Sequence, residues 1–327
     1  MKQNIYKIQM NRIALIMPHF GHFNNYFKFW LRSCCNNPKI DFLIFTDDSN
    51  AIAYINAYGG ANIKVFEMSL ADLKQLFESK LHQTICLETP YKLCDFRALY
   101  GILFADYLKA YDFWGHCDND LIFGNLSKYI TDEILNVYDK ILTRGHLSIY
   151  RNNPEVNEFF RKSETFEGIP SWREVVTSNR GYVFDEWAGI SKMWKALQPE
   201  KVYDVLLFDD INFLKKQFLS SQKIVNHSDD DKGNFLFEYK DGSLYRYGLD
   251  KNDGAIIKEE TLYVHFQKRP MSVETSHLDH YICKPNAFVN YQPITVNLLK
   301  TWGKSYLFYS QYFKIYLNKI KRKILRK

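Results

Sequence analysis

The sequence predicts an α/β fold: a doubly wound, mostly parallel sheet with flanking helices and a C-terminal amphipathic helix. Two observations predict it, and a third excludes a disulfide scaffold. Short apolar runs alternate with segments of helical periodicity through the first 150 or so residues. Polar clusters end three of those runs (Pro18-His19-Phe20-Gly21, Asp47-Asp48 and Asp118-Asn119-Asp120), and open α/β sheets bind ligands at strand ends of that kind. The six cysteines (Cys34, Cys35, Cys86, Cys94, Cys117 and Cys283) show no Cys-x-x-Cys spacing, so they read as free thiols and not as a disulfide framework.

The elements follow in order. Arg12 to Met17 is a buried strand ended by Pro18 and Gly21. Tyr26, Phe27, Trp30 and Leu31 recur at helical spacing within Asn24–Cys34. Asp41–Thr46 and Ile63–Phe66 are strands, and Leu70–Leu81 is a helix with Leu73, Leu76 and Phe77 inward. A helix from Tyr91 to Tyr111 then leads into the strand Phe113–Cys117. Beyond Tyr150 the pattern is mixed. Pro154–Lys162, Gly189–Leu197 and Asp209–Phe218 read as helical, and Glu164–Trp172 as a loop. Lys240-Asp241-Gly242-Ser243 joins two strands as a hairpin, because Asp-Gly suits the left-handed positions of a tight turn. Leu262–Phe266 is a late strand.

Composition excludes several classes. With 15 Gly, 9 Pro and 6 Cys in 327 residues, collagen-like, disordered and disulfide-scaffold chains are ruled out. The net charge of +6 is unevenly placed: Gly303 to Lys327 holds eight basic residues and no acid, which leaves the rest near neutral. A broad nucleic-acid-binding surface is therefore not expected. The first apolar stretch, Ile13–Met17, is too short for a signal-peptide core, and no run approaches a membrane span. The expected location is the cytoplasm. Residues 1–302 read as one catalytic domain. Residues 303–327, with aromatic and aliphatic residues interleaved with Lys and Arg, read as a helix for an anionic membrane surface, peripheral on the inner face of the cell membrane. Packing of that helix on the core is the alternative.

The Asp118-x-Asp120 triplet is uninformative alone, since 22 Asp residues give about one or two such triplets by chance. Its context is more telling. Apolar segments flank both carboxylates, whose burial unpaired would be costly. A divalent cation bridging to phosphate oxygens would offset that cost, and oxygen ligands suit Mn²⁺ or Mg²⁺. A solvated turn or a helix cap is the alternative. The second triplet, Asp229-x-Asp231, reads as a solvated loop.

Two stretches carry a resemblance: Trp114-Gly115-His116-Cys117-Asp118-Asn119-Asp120-Leu121-Ile122-Phe123-Gly124, and before it Lys92-Leu93-Cys94-Asp95-Phe96-Arg97-Ala98-Leu99-Tyr100-Gly101. Together they resemble a bacterial family of polysaccharide glycosyltransferases related to nucleotide-sugar-dependent enzymes of GT-A type, over roughly Asn11 to Pro270. The resemblance implies that Asp118 and Asp120, with Asn119 between them, hold a divalent ion on the diphosphate of a nucleotide sugar. It implies His265, in the late strand, as a further metal ligand, although a histidine in an apolar strand is commonly a satisfied core residue. Lys268 and Arg269 would then lie near the phosphates, and Lys92, Asp95 and Arg97 near the donor phosphate or sugar. Lys92 and Asp95, at i and i+3, could instead pair as a surface salt bridge.

His19, Phe20 and Asp47 are candidate contacts to the nucleotide base and ribose. Asp185 and Glu186 are candidate bases for the acceptor hydroxyl, with Trp187 as a sugar platform, and Asp209-Asp210 is the competing pair. The expected activity is metal-dependent transfer of a sugar to a surface glycan (capsule, O-antigen or lipopolysaccharide), free or lipid-linked. A metal-dependent phosphohydrolase of nucleotides or phosphosugars and a non-enzymatic, membrane-associated glycan-binding protein are the rivals.

Overall fold

The structure, a computed structural model, describes residues 11–212, 217–219, 235–267, 269–302 and 317. Most of the basic tail, all of the Asp229-x-Asp231 triplet and Lys268 lie outside the described residues. The chain divides into two compact units. Of the described residues, the first unit comprises those up to Phe23, Asn37–Asn119 and Ser127–Val205; the second comprises Asn24–Asn36, Asp120–Leu126 and those from Leu206 on.

The first unit is built on β1 (Ile13–His19), β2 (Ile40–Thr46), β3 (Ile63–Glu67) and β4 (Phe113–Cys117). The sheet runs β3-β2-β1-β4, then Leu147–Arg151, Lys140–Arg144 and Val202–Tyr203. Its first four strands are parallel; Leu147–Arg151 is antiparallel to both of its neighbours, and the edge pair Lys140–Arg144 with Val202–Tyr203 is again parallel. The expected mostly parallel sheet is what forms. β1, β2 and β4 are nearly continuous apolar runs, as strands covered on both faces must be. Helices α2 (Ser49–Tyr58) and α3 (Leu70–Leu81) begin where the sequence provides caps. Asp48 accepts the amides of Asn50 and Ala51, and Ser69 and Asp72 form a reciprocal capping box. Leu73, Phe77 and Leu81 of α3 join Ile16, Phe45, Phe104 and Trp114 in the core. Gly115 permits close approach of strands, because a Cβ there would collide with Ser148 O and come 2.8 Å from Leu15 Cδ2.

One buried charge stands out in this sheet. Lys140 is fully enclosed and donates to Tyr150 Oη at 2.6 Å. Burial pushes its amine down to about 7. The unfolded chain therefore holds this proton more tightly between about pH 7 and pH 10, and the group adds stability as pH rises through that window. Lys140→Met is expected to stabilise the protein by about 2 kcal/mol at pH 6.5, the desolvation relieved less the hydrogen bond lost. The gain should shrink toward zero by pH 9.5, as read from urea midpoints of both proteins.

Two expectations need correction. The segment Tyr91–Tyr111 is not one α-helix: Pro90–Leu99 is a 3₁₀-helix, followed by short α-turns at Tyr100–Leu103 and Ala105–Leu108. Three residues per turn eclipse side chains at i and i+3, which brings Lys92 onto Asp95. Asp209-Asp210 does not open a helix. It forms a two-residue strand, parallel to Val264-His265, whose carboxylates are bound within the sheet.

The second unit contains a six-stranded sheet and a three-stranded sheet. The expected hairpin is present, Leu236–Lys240 pairing with Ser243–Leu249, with Asp241 and Gly242 at φ 46° and 88°. Helix α1 (Phe27–Cys35) supplies Phe29 to a core with Tyr239, Tyr281 and Phe288, while Leu299 packs with Leu236, Ile282 and Val289. None of the six cysteines is in a disulfide; Cys34, Cys117 and Cys283 are buried and the others half-buried. Among the described residues no helix is long and apolar enough to cross a membrane.

Candidate active site

In the first unit the parallel register places His19, Asp47 and Asp118 at the carboxyl ends of β1, β2 and β4. Each is held there by its neighbours. His19 Nδ1 lies 3.0 Å from Asn119 Nδ2 and its Nε2 lies 3.2 Å from the His22 carbonyl. An amide donates to the first nitrogen and a carbonyl accepts from the second, which selects the neutral Nε2–H tautomer. Burial, which lowers the His19 pKa, agrees with that neutral form. Asp47 is exposed and accepts the Gly21 amide at 2.8 Å. Phe20 is buried in the unit's core.

Arg97 is the hub of this unit. Its Nη1 donates to Gly145 O at 2.6 Å and to Asp185 Oδ2 at 3.0 Å, and its Nη2 donates to Asp118 Oδ1. One planar guanidinium thus binds the end of β4, the turn between two antiparallel strands and the segment before the helix Ile190–Leu197. Burial opposes the charge on Arg97, but Asp118 and Asp185 outweigh it and hold the pKa well above its ordinary value. Asp185 is 1% exposed, and burial, only partly countered by Arg97, pushes its carboxyl up to about 7. Glu186 is half-buried and sits against Gly145, where a Cβ would collide with its Oε1 and come 2.8 Å from Asp185 Oδ2. A side chain at Gly145 would therefore displace the carboxylates of the two acids. Trp187, next in sequence, is 71% exposed.

The Lys92–Asp95 pair forms, at 2.9 Å, but it is buried and not a surface bridge. Lys92 also donates to Arg180 O at 2.7 Å, and Asp95 accepts the amides of Tyr182 and Phe184. The pair therefore pins the loop that ends at Asp185 and Glu186. Within that loop Val183 takes φ 56°, a conformation costly for a β-branched residue and tolerated only where neighbours hold it.

In the second unit three short strands set the geometry. Tyr263–His265 lies between Leu121–Phe123, antiparallel, and Asp209–Asp210, parallel. His265 is paired with Leu121 on one side and with Asp210 on the other, and Phe266 N donates to Asp120 O at 3.0 Å. That register brings Asp120 and Asp210 to opposite nitrogens of one imidazole. Asp120 Oδ1 is 3.3 Å from Nε2, and Asp210 Oδ1 is 2.8 Å from Nδ1. Burial works against the imidazolium, but the two carboxylates outweigh it and push the His265 pKa up to about 10. Arg269 is buried in the same unit, where its Nε donates to Asn286 Oδ1 at 2.7 Å and burial lowers its pKa to about 10. Asp209 faces Arg246.

The pair Asp120 Oδ1 and His265 Nε2 fits a small divalent ion. Adjacent ligands of an octahedral ion with bonds near 2.1 Å lie on the order of 3 Å apart, close to the separation found. A carboxylate oxygen beside an imidazole is a donor set that Mn²⁺ accepts.

A family model matches residues 15–292, and its description is a family of unknown function, DUF6625. The chain belongs to the DUF6625 family. A search of curated protein sequences finds no match to this DUF6625 chain. Among solved structures it is similar to the apo form of mouse xyloside xylosyltransferase 1, with a TM-score of 0.42 and 8% identity over 62% of this chain and 87% of that one. It is also similar to an active-site mutant of LgtC, with a TM-score of 0.41 and 10% identity over 79% of this chain and 88% of that one. At that distance neither likeness assigns a role to any residue of the DUF6625 chain.

The contact between Asp210 and His265 is not legible in the sequence, because the partners are 55 positions apart and nothing local announces a two-residue strand. The contact of Gly145 with Asp185 and Glu186, some 40 residues on, is equally invisible in the sequence.

Proposed function

We propose that this DUF6625 chain is a metal-dependent glycosyltransferase that moves a sugar from a nucleoside diphosphate to a glycan acceptor. The observation that carries the reading is the buried apposition of Asp120 and His265, in the D-x-D context of a strand end. The divalent ion, Mn²⁺ or Mg²⁺, would be held by Asp120 and His265, with Asp118 two residues earlier in the chain as the third ligand. When bound it neutralises charge that develops on the leaving diphosphate. His19 and Asn119, bonded to each other, and Asp47, which holds the Gly21 amide, are the donor-side contacts, and Lys268 is a further cation for the phosphates. Lys92, Asp95 and Arg97 act on the donor site by fixing the segments around it.

Of the two candidate bases Glu186 is the better placed, since Asp185 is enclosed and bound to Arg97. Glu186 takes the proton of the acceptor hydroxyl as that oxygen bonds to the anomeric carbon and the bond to the diphosphate oxygen breaks. Trp187 offers an exposed apolar face for the acceptor ring beside it. The basic, aromatic C-terminal segment would seat the enzyme on an anionic membrane surface at the cytoplasmic face, where a lipid-linked surface glycan is assembled.

Thermal-shift measurements with UDP or GDP and Mn²⁺ test the reading. At about 100 times Kd a ligand adds about 2.7 kcal/mol, so Tm is expected to rise by several degrees, and only when nucleotide and metal are both present. Release of free sugar or phosphate with no need for an acceptor would make the chain a hydrolase. Indifference to every nucleotide would leave a glycan-binding protein.

A further inference from the structure

We propose that Asp210 is the positioning residue of His265, turning its Nε2 toward the metal position beside Asp120. The inference rests on the metal-dependent reading above. An imidazole that ligates a metal through one nitrogen carries a hydrogen on the other, and that N–H needs a fixed acceptor to set the ring's orientation and raise its donor strength. His265 has such an acceptor. Asp210 Oδ1 lies 2.8 Å from Nδ1, while Nε2 faces Asp120 Oδ1 at 3.3 Å. Asp120 and the neutral Nε2 of His265 would hold a divalent ion, with Nδ1–H directed to Asp210.

The carboxylate is itself held. Gln267 Nε2 donates to the same Asp210 oxygen at 2.6 Å, and Gln267 adopts φ 51° on leaving the strand. The main chain is locked alongside, with Ile211 N donating to His265 O at 2.9 Å. Asp210 is 6% exposed. A carboxylate enclosed to that degree and already accepting two hydrogen bonds is poorly suited to collect a proton from a sugar hydroxyl. Asp209, one residue earlier, turns to Arg246 instead.

The test measures Mn²⁺ affinity of the full chain by electron paramagnetic resonance. Electron spin-echo envelope modulation then reports whether an imidazole nitrogen is bound to the ion. Asp210→Ala is expected to weaken Mn²⁺ binding by about 10- to 100-fold and to remove the nitrogen signature at saturating metal. Asp210→Asn, whose carbonyl oxygen can still accept Nδ1–H, should lose about fivefold and keep the signature. A purely structural role would lower affinity without separating these two variants spectroscopically. Affinity within twofold of wild type in Asp210→Ala, with the nitrogen signature intact, overturns the proposal while leaving the metal reading in place. Should Asp210→Ala fail to fold, an Asp210→Asn affinity within twofold of wild type overturns it equally. Absence of Mn²⁺ binding by the wild type overturns the metal reading, and this proposal falls with it.

Discussion

Joint replacement of Asp118 and Asp120 by alanine is expected to lower sugar transfer at least about a thousandfold, roughly 4 kcal/mol of transition-state stabilisation. The fold should survive. Asp120 lies at the start of a three-residue strand whose main-chain pairing with Tyr263–His265 does not involve its side chain. His265 keeps Asp210 as a charge partner. Asp118 is followed by the same chain and leaves Arg97 still bound to Asp185 and Gly145. Transfer from a labelled nucleotide sugar, Mn²⁺ affinity and Tm are the three measurements. Loss of transfer and metal binding with Tm within a few degrees of wild type is the expected pattern. Undiminished transfer would mean that the two carboxylates serve only as structural partners of Arg97 and His265.

The first unit was legible because its signals are local. β1, β2 and β4 are apolar runs with sharp ends, α3 carries its own capping box, and parallel order follows from alternation with helices. The positions of His19, Asp47 and Asp118 follow directly, since a parallel sheet gathers every strand's carboxyl end on one edge. Asp209-Asp210 failed for the opposite reason. A two-residue strand has no period, and its state is decided by the long-range pairing with Val264-His265. Lys92 and Asp95 show an intermediate case. Their spacing announced a pair, but only the 3₁₀ turn and the loop packed over it determine that the pair is buried. Candidates for the site could be read one by one; which carboxylate serves which partner could not.

Arg97 allows the second large effect to be stated with its sign. Arg97→Ala should destabilise the protein by about 3 kcal/mol at pH 8.5, because it removes one partner from a buried pair and leaves Asp185 enclosed without that cation. The loss should be smaller at pH 5.5. Burial already raises the Asp185 carboxyl to about 7, and Arg97 is the main influence holding it down. Without the guanidinium that value rises further, so below neutrality the variant buries a neutral acid in place of an unpaired charge. Arg97→Lys is expected to recover little of either stability or rate. A single ammonium cannot reach Gly145 O, Asp185 and Asp118 from one plane, as the two terminal nitrogens of Arg97 do. Urea denaturation at the two pH values measures the stability change, and steady-state transfer assays the rate, with a drop of about 100-fold expected as Asp118 loses its fixed orientation. A pH-independent loss, or full recovery with lysine, would show that the charge of Arg97 matters and its planar, three-partner geometry does not.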